Sequence, residues 1–310
     1  MSDTTQDSTV AAREAARTTG GRPAVARPEV IIVPGAEAAH RRARITSIIR
    51  YIVIALVALA FTFPFIWMLL ASFKSQADIM NNQKILSFEP TMQHYVDVFN
   101  QYSFFKFMGN SFLVAIVSTA FSLVLGLPAA YAIARFKMPA FGLVLLAARI
   151  VPGITFLIPW FILFTQLHLV GTYWALILSH MLVGLPFITW VMISFFEGLP
   201  QELEEAAQVD GVTPIGSFFR IALPLSLPGI ITGSILSFIF SWNNFMFSLV
   251  LASQDTRTLP VAIFGFISYA SIDWGGLMAA AVIITLPVLI ITLFVQRYVV
   301  SGLTAGALKG

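Results

Sequence analysis

An all-α protein that crosses a membrane six times is what this sequence predicts, and three observations predict it. Of the 310 residues, 58% are apolar and only 11% charged, whereas soluble domains carry about 25% charged residues. The mean hydropathy is +0.86, and runs long enough for a bilayer crossing, which takes roughly 20 helical residues, recur along the chain. Charged residues gather between those runs rather than within them. Lipid is therefore the main solvent. The absence of cysteine excludes a disulfide scaffold, a thiolate metal site and a cysteine nucleophile. The net charge of +3 and pI near 9.3 come from the N-terminal segment and from short stretches beside apolar runs. That is a membrane-topology pattern, and it gives no reason to expect a nucleic-acid partner.

Residues 1–46 are rich in Ala, Arg, Thr and Pro with both charge signs, and are expected to be a disordered cytoplasmic tail because no apolar period could offset the entropy of ordering them. The run from Thr46 to Leu70 is too long for a signal-peptide core and is not followed by a small-residue cleavage site, so it should remain as an anchor. Six spans are expected at about Ile48–Ser72, Gly109–Ala134, Ala140–Phe164, Tyr173–Phe196, Leu225–Ala252 and Gly276–Val295. Together they make one membrane domain, 47–298, followed by a cytoplasmic tail, 299–310. Placing Arg13, Arg17, Arg22, Arg27, Arg41, Arg42, Arg44, Arg50, Arg135, Lys137, Arg220, Arg297 and Lys309 inside sets them against Lys74, Lys84, Lys106 and Arg257 outside. The positive-inside rule then puts both termini in the cytoplasm.

Two extracytoplasmic segments follow, Lys74–Met108 and Ser253–Trp274. Inside, Glu197–Pro224 is longer than a hairpin between neighbouring spans requires, which points to docking. Pro200 suits the first turn of a helix over 201–210, and Gly211 suits a left-handed stop after it. Glu202, Glu204 and Glu205 fall near the positive helix end. Leu203, Ala206 and Ala207 share a face of little bulk, open to a close partner. Thr213 is expected to cap a second short helix with Pro214 in its first turn, carrying Ile215, Phe218 and Phe219.

Glu205-Ala206-Ala207, three residues, Gly211, nine residues, then Ile221-Ala222-Leu223-Pro224 resembles the EAA signature of membrane subunits of binding-protein-dependent ABC importers. The resemblance implies the type I importer permease architecture and makes Glu205, Ala206, Ala207, Asp210, Gly211, Ile221, Leu223 and Pro224 the ATPase-coupling residues. Phe107-Met108-Gly109-Asn110-Ser111, Pro128-Ala129-Ala130-Tyr131, Trp242-Asn243-Asn244-Phe245 and the ending Gly302–Gly310 look like the carbohydrate branch. The ending is similar to the tail of the second membrane subunit of maltose-type permeases, in which Gly302, Leu303, Thr304, Gly306 and Lys309 would reach the ATPase. The implied partners are a second homologous permease subunit, two cytoplasmic ATPase subunits binding ATP and Mg, and an extracytoplasmic solute-binding protein that meets the 253–274 loop. The implied location is the cytoplasmic (inner) membrane of a prokaryote, and the cargo a sugar or polyol.

Polar groups within the runs are the remaining candidates. Arg149 at that depth costs at least about 2.5 kcal/mol on insertion scales and must face protein or water. It either lines the translocation pathway or is satisfied by carbonyls freed at Pro152. Pro152 and Pro159 are seven apart and expected on one face of a bent helix. Trp242, Asn243 and Asn244 could hold a sugar by stacking and amide hydrogen bonds. Interhelical hydrogen bonding by the amides, with the indole packed at a subunit interface, is the favoured reading for any one of them, because interhelical amides are common. His180 reads as a packed, hydrogen-bonded histidine.

No Asp or Glu occurs between Asp97 and Glu197, or between Asp210 and Asp255, which disfavours an ion-coupled carrier. No cluster resembles a metal or nucleophile site, which disfavours an intramembrane enzyme. No G-x-x-x-x-G-K-[ST] phosphate cradle is present. The expectation is a non-catalytic subunit that carries no cofactor or metal, with ATP hydrolysed by its partners. An importer of a non-carbohydrate solute is the alternative.

Overall fold

The computed structural model describes residues 36–101, 103–267 and 272–307. The expected tail therefore lies outside the described residues up to residue 35. Among the described residues ten helices carry the fold: α1 Ala36–Ser72, α2 Gln93–Gln101, α3 Phe104–Arg135, α4 Pro139–Ile150, α5 Leu157–Gln166, α6 Tyr173–Gly198, α7 Glu202–Val209, α8 Leu227–Trp242, α9 Met246–Leu251 and α10 Trp274–Ala307. Shorter turns join them, and the described residues form no strand, only an isolated bridge between Ile267 and Ile272.

The chain divides into a unit ending at Thr62 and a second beginning at Phe63. In the first, helix begins at Ala36, ahead of the expected boundary at residue 47, and its apolar side chains from Ile48 to Phe61 are exposed. A helix apolar all round, with none of its hydrophobic face buried by its own unit, suits lipid or another apolar surface.

In the second unit, α3, α6 and α8 pack through small residues. Ser111, Ala115, Ser118, Ser122, Gly126, Ala130 and Ala134 form a buried stripe along α3, and Gly229, Gly233, Ser237 and Ser241 recur every fourth residue on α8. Helices in lipid gain no hydrophobic free energy from touching, so close backbone approach and hydroxyl bonding hold them. A Cβ added at Gly184 of α6 would sit 2.8 Å from Ser237 Oγ and 3.1 Å from Ser122 Oγ. In the same seam Ser118 Oγ donates to Ser241 Oγ at 3.3 Å, and His180 Nδ1 lies 2.6 Å from that oxygen. His180 is fully buried, as a packed histidine should be.

Among the described residues four helices are long and apolar enough to cross a membrane, Arg44–Ser72, Phe104–Arg135, Tyr173–Gly198 and Trp274–Phe294, and two bent pairs raise the number to as many as six. The third expected run is one such pair. Its halves, Pro139–Ile150 and Gly153–Gln166, meet at 89°. Val151 is extended (φ −71°, ψ 120°), the conformation favoured before proline, and Pro152 opens the next turn instead of sharing a helical face with Pro159. The fifth run also departs from a single helix. Pro214–Leu225 and Leu227–Trp242 meet at 75°, and the chain breaks again at 243–245 before α9. The C-terminal residues 299–307, expected as a tail, continue α10.

Candidate functional site

The segment between α6 and α8 forms the two short helices its residues call for. α7 ends where Gly211 takes φ +88°. Gly211 N–H donates to Gln208 O at 3.0 Å and Val212 N–H to Ala207 O at 2.9 Å, so the last carbonyls of α7 are satisfied by a left-handed stop. Thr213 (φ −69°, ψ 159°) caps the next turn, its Oγ1 accepting from Gly216 N–H at 3.1 Å, with Pro214 directly after it. One turn of π-helix, Phe218–Ala222, then leads into Leu223–Leu225.

The loop presents apolar side chains outward. Val209 is 89% exposed, Ile215 72% and Phe219 61%, and Leu203 is also exposed. Glu205, Ala206 and Asp210 lie in the open as well, while Ala207 is half-buried. Ala222 and Leu223 turn the other way and pack with Ala130, Ile188, Met192, Phe196 and Phe218. Ile221 is half-buried and Pro224 exposed. The signature positions thus divide into an outward set on α7 and an inward set that seats the second helix.

Glu204 behaves differently from its neighbours. Its carboxylate is buried against the last turn of α3. Oε1 accepts from Arg135 Nε at 2.9 Å and from Nη2 at 2.5 Å, and Oε2 accepts from Tyr131 Oη. Arg135 also donates Nη1 to Phe196 O at 2.8 Å and Nη2 to Leu199 O at 3.4 Å, two carbonyls at the end of α6. The two charged side chains are only 10% and 7% exposed.

The sequence profile described as "Binding-protein-dependent transport system inner membrane component" matches residues 122–305. The chain belongs to this family. Among relatives, the sulfoquinovosyl glycerol transport system permease of Agrobacterium fabrum is 37% identical over 84% of this chain and 94% of that protein. The trehalose/maltose transport system permease of Thermococcus litoralis is 36% identical over 86% and 97%, and the trehalose transport system permease of Mycobacterium tuberculosis 34% over 80% and 92%. A bacterial ABC transporter that imports the acidic polysaccharide alginate has the same fold, with a TM-score of 0.73 at 21% identity over 83% of this chain and 98% of that one. The permease is therefore a multi-pass membrane component, not an enzyme, and hydrolysis belongs to a separate partner.

The permease's other candidate residues scatter. The Arg149 guanidinium, at the end of α4, stacks on two rings of α6, 5.0 Å from the Phe187 centroid and 4.8 Å from that of Trp190. It meets these aromatic faces rather than carbonyls freed at Pro152, and Arg149 itself is exposed on this chain. Trp242 is fully buried. Its Nε1–H donates to Ile284 O at 3.0 Å, and its ring packs on Phe112 and Phe238. The indole therefore lies in the permease's own core and is not placed to stack on a solute or at a subunit interface. Asn244 Oδ1 accepts from Phe247 N–H at 3.2 Å, starting α9, and Asn243 is exposed at the break. Gly302, Leu303, Thr304 and Gly306 continue α10, and Lys309 falls outside the described residues. Sequence reasoning counted Arg135 only as a topology charge and treated Glu204 as a dipole partner like its neighbours. The i, i+4 spacing of Tyr131 and Arg135 at a span end was the available signal.

An open groove of about 550 Å³ runs between α3, α8 and α10, lined by Ile116, Leu123, Ile235, Phe238, Ile290 and Phe294 among others. Its walls are almost wholly apolar, and none of the predicted pathway residues lines it.

Proposed function

We propose that this chain is one membrane subunit of an ATP-driven importer of a sugar or polyol, working by alternating access in the cytoplasmic membrane of a prokaryote. In this reading it crosses six times with both termini in the cytoplasm, each bent pair counting as one span. It assembles with a second homologous permease subunit, two ATPase subunits that bind ATP and Mg, and an extracytoplasmic solute-binding protein. The observation that carries the reading is the 202–219 segment, a short helix stopped at Gly211 whose apolar side chains stand exposed while its base is anchored to two spans. Exposed apolar groups beside acidic ones suit a protein partner that covers them. The alginate importer in complex with a pentasaccharide-bound periplasmic protein supports the binding-protein arrangement, and relatives named for sulfoquinovosyl glycerol, trehalose and maltose support a carbohydrate cargo.

Arg149, stacked on Phe187 and Trp190, is the pathway residue we favour. The Phe187 and Trp190 rings bring no oxygen acceptor, so the guanidinium N–H groups remain for acceptors such as solute hydroxyls. Asn243, exposed at the α8 break, and Pro152, at the α4–α5 break, are proposed to join it along the pathway. The C-terminal residues Gly302, Leu303, Thr304, Gly306 and Lys309 are proposed to reach the ATPase. Reconstituting the complete complex and screening sugars for binding-protein-dependent stimulation of ATP hydrolysis tests the assignment. Uptake that continues without the ATPase and collapses with an ion gradient would overturn it.

A further inference from the structure

We propose that Arg135, Tyr131 and Glu204 form a strut that fixes α7 to the ends of α3 and α6, so that movement delivered to the docking loop turns these two spans as one body. The inference rests on the coupling reading above and adds the side chains that make the loop a stiff lever.

A helix as short as α7 has little stability or fixed direction of its own. It is joined to its neighbours by non-helical links, with Leu199 extended (φ −80°, ψ 130°) before it and Gly211 in the left-handed region after it. Both links can pivot, so the backbone alone does not set the angle of α7 to the spans. Among the described residues, Glu204 supplies the only side-chain hydrogen bonds between α7 and the spans.

Those bonds are built to resist displacement. Both charges are buried, and removing either partner would leave the other uncompensated in a site of low dielectric. Arg135 reaches α6 as well, filling the Phe196 and Leu199 carbonyls that a helix end leaves without partners. Tyr131 completes the joint from below. Its ring meets Phe196 of α6 edge-on at 5.5 Å and Phe218 of the second loop helix at 4.8 Å. One cluster thus clamps α3, α6, α7 and the start of the π-turn. The neighbouring Glu205 stays exposed, so the acidic pair divides its work, Glu204 holding the lever and Glu205 facing the partner.

The test uses the reconstituted complex and measures solute transported per ATP hydrolysed. Arg135→Gln and Glu204→Ala are expected to bind the ATPase subunits and to hydrolyse ATP, but with a transport ratio lowered at least about tenfold because the buried partner is left unpaired. Glu204→Gln and Arg135→Lys, which keep part of the bonding, should fall between. An unchanged ratio in both severe variants overturns the proposal. An otherwise native chain gives a second reading that does not depend on tolerance of those changes. The protein has no cysteine of its own, so spin labels at Glu202→Cys on α7 and at the exposed Phe136→Cys just beyond α3 report the joint directly. Their separation should be the same with and without ATP, and should broaden when Arg135→Gln is added. A separation that changes with nucleotide in the native background refutes the strut. Failure of the native complex to bind any ATPase would instead refute the functional assignment on which it rests.

Discussion

Replacing Gly211 with Val isolates one physical quantity. A Cβ at this position would meet nothing within 4 Å, so the cost of the substitution is carried mainly by the backbone at φ +88°. Side chains held in such sparsely populated regions cost about 1–3 kcal/mol, with β-branched residues at the upper end. The less flexible unfolded chain offsets about 0.4–1 kcal/mol of this, leaving a net of about 1–2 kcal/mol. Relaxing that strain means giving up the Val212 N–H to Ala207 O and Gly211 N–H to Gln208 O bonds, which terminate α7. A penalty of this size lowers the population of the stopped helix by a factor of about 5–30. We expect solute uptake per ATP to fall by a comparable factor, in the order Gly, Asn, Ala, Val, since Asn tolerates the left-handed region best among non-glycine residues. Proteoliposome uptake and ATP hydrolysis measured together, with ATPase pull-down as the assembly check, give the result. Wild-type uptake and association in Gly211→Val, or no gradation among the three variants, would refute the reasoning.

Arg149→Ala should lower uptake by about tenfold or more, the equivalent of one charge-assisted hydrogen bond of about 1.5–3 kcal/mol, while purified complexes keep their subunit composition. An unaltered uptake rate would return Arg149 to a packing role against Phe187 and Trp190. Gly184→Leu should overpack the α3–α6–α8 seam, where Ser237 Oγ and Ser122 Oγ already crowd the added carbon, and destabilise the solubilised protein by about 1–3 kcal/mol. Gly142→Ala, within α4 and with nothing within 4 Å of the added carbon, should instead raise the thermal midpoint slightly, by the equivalent of about 0.4–1 kcal/mol. The hydrogen bond and charge of Lys106, 2.5 Å away, hold the Asp255 carboxyl below its ordinary pKa. A carboxyl whose folded pKa is depressed stabilises above its unfolded value and loses that contribution as pH falls through the folded one. Loop 253–258 should therefore become more accessible to an acid-stable protease only below the usual carboxylate range, and Lys106→Met should remove that pH dependence.

How much was legible can be seen element by element. The α7 stop at Gly211, the Thr213 cap and the Pro214 first turn are local events within a few residues, and their chemistry reads directly from the chain. The broken third and fifth spans were less legible. Hydropathy registers only that 140–164 and 225–252 are apolar, whereas the 89° bend at Val151–Pro152, the 75° bend at Ser226 and the separate break at 243–245 depend on what packs against each helix beyond the turn. Trp242 shows the same limit. An indole beside two amides looks like a sugar platform until Ile284, far along the chain, supplies its acceptor.

The sequence by itself determined that this is a multi-span membrane protein with a long polar loop carrying the EAA signature, because composition, hydropathy and motif spacing are properties of neighbouring residues. The tertiary structure decided which of three adjacent glutamates turns inward. Glu202, Glu204 and Glu205 are alike in type and all lie in the first turn of α7, and the arrival of Arg135 and Tyr131 from α3, about 70 positions earlier, singles out Glu204. A buried charge is stable only where its partner is brought to it, and bringing that partner is the work of the fold.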